Sequence, residues 1–237
     1  MSGGTVKCWG TFFWGSPEEK IKGVETVESL EAALGISSGS GTYAPCEVLE
    51  NHSVGCWNSN VSGGFGNGKS ESREVSATPV TVAGVSNATA GSAGSVSACA
   101  VLGGGGIDCW GTNEYGAVGD GHHGASEIAT ASGVVGITKA TKLSVGDDHA
   151  CAIENEEVKC WGTNGEGQLG NGETSEVVDE PVRVTGISSS AVEVSAGGST
   201  CALLKSKQVK CWGWNGYGEL GDGTTTERTT PVFVAGL

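Results

Sequence analysis

The chain has 237 residues, 42 of them glycine and one methionine, with 13 Lys and Arg against 27 Asp and Glu for a formal net charge of −14. That length holds one repeat domain with a continuous core. The charge excludes a nucleic-acid backbone as partner, because phosphate contacts need clustered Lys and Arg, and no apolar run approaches the roughly 18 residues of a membrane helix.

Along the chain, Cys8-Trp9, Cys56-Trp57, Cys109-Trp110, Cys160-Trp161 and Cys211-Trp212 recur at steps of 48, 53, 51 and 51 residues. Five of the seven tryptophans lie in this dipeptide, so they mark one supersecondary unit copied along the chain. The units run approximately 8–55, 56–108, 109–159, 160–210 and, incomplete, 211–237. The first is degenerate. Its Trp9 leads into Thr11-Phe12-Phe13-Trp14, it lacks a Leu-Gly-x-Gly turn, and residues 24–34 (VETVESLEAAL) read as a helical turn or two.

Later units are cleaner. After Cys160-Trp161 come Gly162-Thr163-Asn164, Leu169-Gly170-Asn171-Gly172, Pro181-Val182-Arg183-Val184, Val192-Glu193-Val194-Ser195-Ala196-Gly197 and Cys201-Ala202-Leu203-Leu204. Each run is short, β-branched and bounded by Gly, Asn, Asp or Pro, which predicts four strands per unit. The Gly-x-Gly stretches at 66–68, 119–121, 170–172 and 221–223 supply the positive φ of tight turns. A strand such as Ala202-Leu203-Leu204, apolar on both faces, predicts a sheet covered on each side. The fold class expected is all-β, a β-propeller of four-stranded blades with about four and a half to five repeats present. Trp9, Trp57, Trp110, Trp161 and Trp212 form the blade cores, and closure of the ring is left open.

Cys-Ala-Leu, then Val-Lys-Cys-Trp-Gly-x-Asn-x-x-Gly-x-Leu-Gly-x-Gly, Pro-Val-x-Val and Val-Ser-Ala-Gly resembles the regulator of chromosome condensation repeat, clearly over residues 99–234 and weakly back to Cys8. The resemblance implies a β-propeller. It leaves function wide, because the family includes nucleotide exchange on a small GTPase, chromatin binding, ubiquitin-ligase targeting and secreted enzyme inhibition.

Eight of the nine cysteines pair by spacing as β-hairpins: Cys46 with Cys56, Cys99 with Cys109, Cys151 with Cys160, and Cys201 with Cys211. The Cys151 pair leaves the two-residue turn Asn155-Glu156, and the others leave three-residue loops such as Lys205 to Lys207. Directly opposed cysteines on antiparallel strands lie within reach of a disulfide. Small buried free thiols at blade interfaces are the alternative. Zinc is disfavoured, since no Cys-x-x-Cys spacing and no in-phase histidine exists. Disulfides would place the chain in an extracellular or other oxidising compartment, although no signal peptide precedes Met1-Ser2-Gly3-Gly4. Cys8 is left unpaired.

No catalytic constellation appears among His52, His122, His123 and His149, so neither an enzyme nor a cofactor is expected. Asp120, Asn171 and Asp222 recur in phase but offer one oxygen side chain each, too few for calcium, and no metal is expected. Asn51, Asn60 and Asn87 are candidate glycosylation sequons. The loops after Trp-Gly vary between units and carry Trp14, Tyr115, Trp214 and Tyr217, candidate binding residues on one face of a rigid array.

At its C-terminal end the pattern stops where a Val-Ser-Ala-Gly strand and a Cys-Ala strand are due, and those strands would also precede Cys8. Three readings follow: a segment of a longer protein, an open arc, or end strands that pair with neighbouring copies. The function expected is a non-enzymatic extracytoplasmic module that binds a protein partner or self-assembles through open end strands, with carbohydrate a further ligand class. The alternatives are a cytosolic guanine-nucleotide exchange regulator of a small GTPase and a secreted lectin or enzyme inhibitor.

Overall fold

The structure, a computed structural model, describes residues 7–11, 20–26, 33–37, 44–69, 74–187 and 190–237, the first three segments by backbone alone apart from Ser37. Every strand pairs antiparallel with its sequence neighbour. Sheet I holds β3 (Ala33–Ser37), β4 (Cys46–Leu49), β5 (Val54–Ser59) and β6 (Val75–Thr81). Sheet II holds β7 (Ala88–Ala93), β8 (Ser97–Leu102), β9 (Ile107–Asn113) and β10 (Ala125–Gly133). Sheet III holds β11 (Ala140–Val145), β12 (His149–Glu154), β13 (Glu157–Asn164) and β14 (Ser175–Arg183). Sheet IV holds β15 (Ala191–Ala196), β16 (Ser199–Leu204), β17 (Val209–Gly213) and β18 (Arg228–Phe233). Before them, β1 (Lys7–Thr11) pairs with β2 (Lys20–Thr26) as a two-stranded sheet. These are propeller blades.

Each sheet is offset by half a sequence unit. It takes its first two strands from the end of one unit and its last two from the start of the next, so each cysteine hairpin lies inside one sheet. The expected helical turn at 24–34 is corrected. Residues 24–26 end β2 and 33–34 open β3, while 27–32 lie outside the described residues. Val24 and Thr26 alternate with Glu25, and Thr26 and Glu25 stand opposite Lys7 and Cys8, so β-branching and pairing decide the segment.

The hairpins take the register their spacing predicts: Cys151 opposes Cys160, Ala152 Lys159, Ile153 Val158, and Glu154 Glu157. Asn155 (φ 53°) and Glu156 (φ 64°) make a turn of the primed kind, which matches the twist of the strands it joins. The three-residue loops close alike. The Leu49, Leu102 and Leu204 N–H groups donate to Ser53, Gly106 and Gln208, and the third loop residue (His52, Gly105, Lys207) has φ between 62° and 83°.

Packing repeats between sheets. Cys151, Ile153, Val158 and Cys160 of sheet III share a buried cluster with Ala191, Val194, Ala202 and Trp212 of sheet IV. The same positions of sheet II pack on Ala140, Ala150, Ala152 and Trp161 of sheet III, and those of sheet I on Ala93, Ala98, Ala100 and Trp110 of sheet II. The disulfides of sheets I, II and III therefore face the following sheet, and Trp110, Trp161 and Trp212 face the preceding one. That arrangement is why β12 is buried at all six positions. Sheet IV differs, and the expectation for Ala202-Leu203-Leu204 is corrected: Leu203 is 38% exposed, because no described residue covers that face.

Two kinds of hydrogen bond recur at each junction between the four sheets. Trp110, Trp161 and Trp212 donate Nε1–H to the carbonyls of Gly64, Ala117 and Gln168 at 3.1, 2.9 and 2.8 Å. At the first strands, the N–H groups of Ala93, Val145 and Ala196 donate to Oγ of Ser37, Ser92 and Ser144 at 2.8, 3.0 and 2.9 Å. The Gly-x-Gly turns do have positive φ, and the structure adds a second reason for them. A Cβ built on Gly119 or Gly170 would stand 2.7 or 2.6 Å from the ring of Trp161 or Trp212. The glycine makes room for its neighbour's indole.

Candidate functional site

The loop between the third and fourth strand of each sheet is built on a buried asparagine three residues past the tryptophan. Asn60, Asn113, Asn164 and Asn215 accept the N–H of Phe65, Val118, Leu169 and Leu220 at 2.9–3.0 Å and donate Nδ2–H back across the loop, for example from Asn164 to the Glu173 carbonyl at 3.1 Å. All four are fully buried, so these amides fix the loop's shape as caps do elsewhere. Sequence reasoning gave Asn113, Asn164 and Asn215 no role and read Asn60 only as a glycosylation sequon, though their constant offset from Cys-Trp was the available signal.

On this scaffold the variable residues stand out. Tyr217 is 87% exposed and meets Trp214 edge to face, ring centroids 5.3 Å apart, and Tyr115 is 38% exposed. Trp14 lies outside the described residues. Carboxylates share this face. Burial, with Asp147 and Glu114 close by, pushes the Asp148 carboxyl above the usual range, and burial with Glu227 nearby does the same to Glu166. The loops of adjacent sheets therefore bring acids together, and the Tyr217 N–H is itself held by the Glu219 carboxylate at 2.9 Å, an arrangement suited to Lys and Arg through ion pairs and cation–π contacts.

The phased Asp and Asn residues are spent on turns. Asp222 accepts from Arg228 Nε and Nη2 at 2.9 and 2.7 Å and from Thr224, which pulls its carboxyl down to about 2. Asp120 accepts from the His122 N–H and from Ser132 Oγ, and Asn171 from the Glu173 N–H. Among the described residues no group of three or more His, Cys, Asp or Glu converges as metal ligands. His122 is exposed, His123 pairs with Asp179 at 2.9 Å, and His52 contacts the Ala88 carbonyl.

His149 is different. It is buried, its Nε2 lies 2.7 Å from Thr200 Oγ1, and that hydroxyl donates to the Gln168 carbonyl at 3.0 Å, the same oxygen that receives the Trp212 indole. Since the Thr200 proton is committed, Nε2 must carry hydrogen. Burial pushes the imidazole down to about 4, so it is neutral at pH 7 and serves as a strut between sheets III and IV. Glu47 is a buried carboxylate with neither oxygen hydrogen-bonded among the described residues. It stands where the other sheets have Ala100, Ala152 and Ala202, and burial pushes it up to about 7. Nothing in the sequence pattern singled it out.

The eight paired cysteines are bonded as four cross-strand disulfides, with S–S distances of 2.10–2.14 Å. The side chains of Cys8 and Trp9 are not described, while Trp57, Trp110, Trp161 and Trp212 are all buried at sheet junctions or cores. The sequons divide. Asn51 and Asn87 are exposed, whereas Asn60 is fully buried with its amide engaged, so the folded chain does not offer it for glycosylation.

Repeated four-stranded blades joined by indole contacts and cross-linked hairpins define an all-β propeller-type repeat protein. The family model "Regulator of chromosome condensation (RCC1) repeat" matches residues 157–204, and a second model of that repeat matches 140–168 and 191–219. Residues 140–219 of the chain thus carry RCC1-type repeats. It is similar to the Ultraviolet-B receptor UVR8 of Arabidopsis thaliana, 31% identical over 130 residues, covering 53% of this chain and 29% of that protein. It is also 27% identical over 224 residues to the human Probable E3 ubiquitin-protein ligase HERC4, covering 92% of this chain and 21% of the other. Among solved structures, Prp20p from Saccharomyces cerevisiae, described with its binding to Gsp1p and histones, superposes with TM-score 0.80 at 15% identity over 98% of this chain and 59% of that one. Human WBSCR16 superposes with TM-score 0.79 at 17% identity, over 96% and 59%. The chain thus spans less than a third of these two curated relatives and about three fifths of the solved ones.

Proposed function

We propose that this chain is a non-enzymatic protein-binding module working in an extracellular or other oxidising compartment, and that its loop face, around Tyr217 and Trp214, receives a partner rich in Lys or Arg. One observation carries the reading. Tyr217 stands almost fully exposed on a loop pinned by the buried Asn215 amide, its N–H donated to the Glu219 carboxylate at 2.9 Å, and the loops of neighbouring sheets gather further acids. Rigid aromatic anchors flanked by one sign of charge are a common recognition surface. Four cross-linked hairpins support the compartment, since disulfides persist where thiols are not held reduced. The Prp20p structure, described with Gsp1p and histone binding, shows that a blade array of this shape serves protein ligands in that relative.

The test uses a Lys/Arg-rich probe peptide in a binding titration at low and physiological salt. Saturable binding that weakens with salt and drops about tenfold or more in Tyr217→Ser supports the loop-face reading. Binding unchanged by Tyr217→Ser, or no binding at low salt, overturns it. Intact mass before and after reduction tests the compartment: purification from the native source with all eight thiols free would remove the extracellular reading and favour the GTPase-regulator alternative.

A further inference from the structure

The sequons at Asn51, Asn60 and Asn87 are treated unequally by the fold. Asn60 accepts the Phe65 N–H at 2.9 Å and donates from Nδ2 to the Lys69 carbonyl at 3.1 Å, so a substituent on that nitrogen would displace the loop it holds. Asn51 and Asn87 are exposed, and they stand at the other end of the sheets. Asn51 lies in the β4–β5 hairpin and Asn87 just ahead of β7, whereas the acidic and aromatic loops follow the third strand of each sheet.

The junction between sheets I and II brings the two exposed sequons together. Their middle residues bond to each other: the Ala88 N–H donates to the His52 carbonyl at 2.9 Å, and His52 Nδ1 lies 2.9 Å from the Ala88 carbonyl oxygen. Sequons 36 residues apart in the chain therefore share one surface. Within the first, the Ser53 N–H and hydroxyl both donate to Asn51 Oδ1, at 3.0 and 2.7 Å, an Asx turn that fixes the carboxamide. The Asn51 Nδ2 has no partner among the described residues. In the second, the Asn87 carbonyl accepts the Gly103 N–H at 2.8 Å, which sets this residue beside the β8–β9 hairpin. The tip of that hairpin is Gly103-Gly104-Gly105-Gly106 and carries no side chain, where the tip of sheet IV carries Lys205, Ser206 and Lys207. A Cβ built on Gly104 would meet nothing within 4 Å, and one built on Gly103 would stand 4.0 Å from Asn87 Nδ2. The glycines leave open the space that a sugar on Asn87 needs.

We propose that Asn51 and Asn87 carry N-linked glycans and Asn60 carries none, so that this end of sheets I and II is covered by sugar and the loop face is left for the protein partner. The proposal rests on the extracellular reading given above, because the modification belongs to a secretory route. The donor is an oligosaccharide linked to a lipid diphosphate and delivered by a membrane-bound transferase. The asparagine Nδ2 forms a bond to the anomeric carbon of the first sugar, and the bond from that carbon to the diphosphate oxygen breaks. Nδ2 gives up one proton, and the lipid diphosphate leaves. Two hydroxyl-bearing sequons held side by side at a rigid junction, next to a bare glycine hairpin, are what carry the assignment.

Peptide mapping of the protein from its native source, after enzymatic release of N-glycans, tests the site, since release leaves each occupied asparagine as an aspartate. Conversion at Asn51 and Asn87 with Asn60 unchanged is expected. Secreted from eukaryotic cells behind a cleaved leader, the 237-residue protein should lose one glycan mass in Asn51→Gln or in Asn87→Gln and both in the double variant, while Ser62→Ala changes nothing. If glutamine disturbs either turn, Ser53→Ala and Thr89→Ala remove the sequon hydroxyls with the asparagines in place and should repeat the two losses. Bare Asn51 and Asn87 in native protein whose four disulfides are intact would overturn the glycans and leave the compartment reading standing. Eight free thiols in the same sample would remove the compartment reading and the glycans with it. A glycan on Asn60 of the folded protein would also overturn the assignment.

Discussion

Single residues here act mainly across a junction. Gly119 (φ 73°) leaves 2.7 Å between a built Cβ and the Trp161 ring, while Gly136 (φ 67°) has nothing within 4 Å. Gly119→Ala is therefore expected to cost about 2–4 kcal/mol in urea unfolding and Gly136→Ala only about 1, the difference being the clash with the indole. Equal losses would show that backbone strain alone matters. Two buried ionisable groups set opposite pH slopes. The His149 imidazole sits at about 4 when folded against about 6.5 free, so its contribution is whole above pH 6.5 and is lost as pH falls towards 4, up to about 3 kcal/mol. The Glu47 carboxyl sits at about 7 folded against 4.5, so stability is whole below pH 4.5 and is lost as pH rises through 7. Glu47→Ala should then stabilise by about 1–3 kcal/mol at pH 8 and by much less at pH 4.5, and His149→Gln should flatten the acid limb. Unfolding free energies measured from pH 4 to 8 decide both, and an unchanged alkaline limb in Glu47→Ala would refute the assignment.

At the level of strands and turns, local chemistry agrees with pairing nearly everywhere, and one exception is instructive. The Asn155-Glu156 turn places a glutamate at φ 64°, where glycine is favoured. Glu156→Gly is expected to stabilise sheet III by about 0.5–1 kcal/mol, because the Glu156 carbonyl keeps its bonds from the Ser190 and Ala191 N–H groups. The surface ion pair lost with Lys205 contributes little. A lower midpoint in urea would show that the side chain matters more than the backbone. Hairpins were legible beforehand because the cysteine spacing fixes both register and loop length. The segment 24–34 was not, since Glu, Leu and Ala favour helix locally and only pairing with β1 reveals the strand at 24–26. Asn164 and its equivalents were visible as a constant offset, yet their role depends on where the loop returns, which no local pattern states. Glu47 was illegible for the same reason: its burial is set by its sheet's alanine position and not by its own chemistry.

For the whole molecule the governing fact is that stability is a chain of nearest-neighbour junctions, each joining a disulfide face to an indole face. The period of about 50 residues made that legible from sequence, but the half-unit offset did not follow from it, because a repeat can be cut anywhere and only pairing decides where a blade begins. Sheets II and III are covered on both sides, while sheet IV lacks one cover among the described residues. Opening sheet IV therefore breaks one junction, and opening sheet III breaks two. Amide hydrogen exchange at low concentration should find the β15 to β18 amides opening more readily than those of β11 to β14, with protection factors lower by about tenfold or more. The comparison is clean because the two sheets carry the same disulfide, the same indole bond and the same strand order. Protection equal in sheets III and IV at every dilution would mean that the junctions do not set stability one by one, and that the array opens only as a whole.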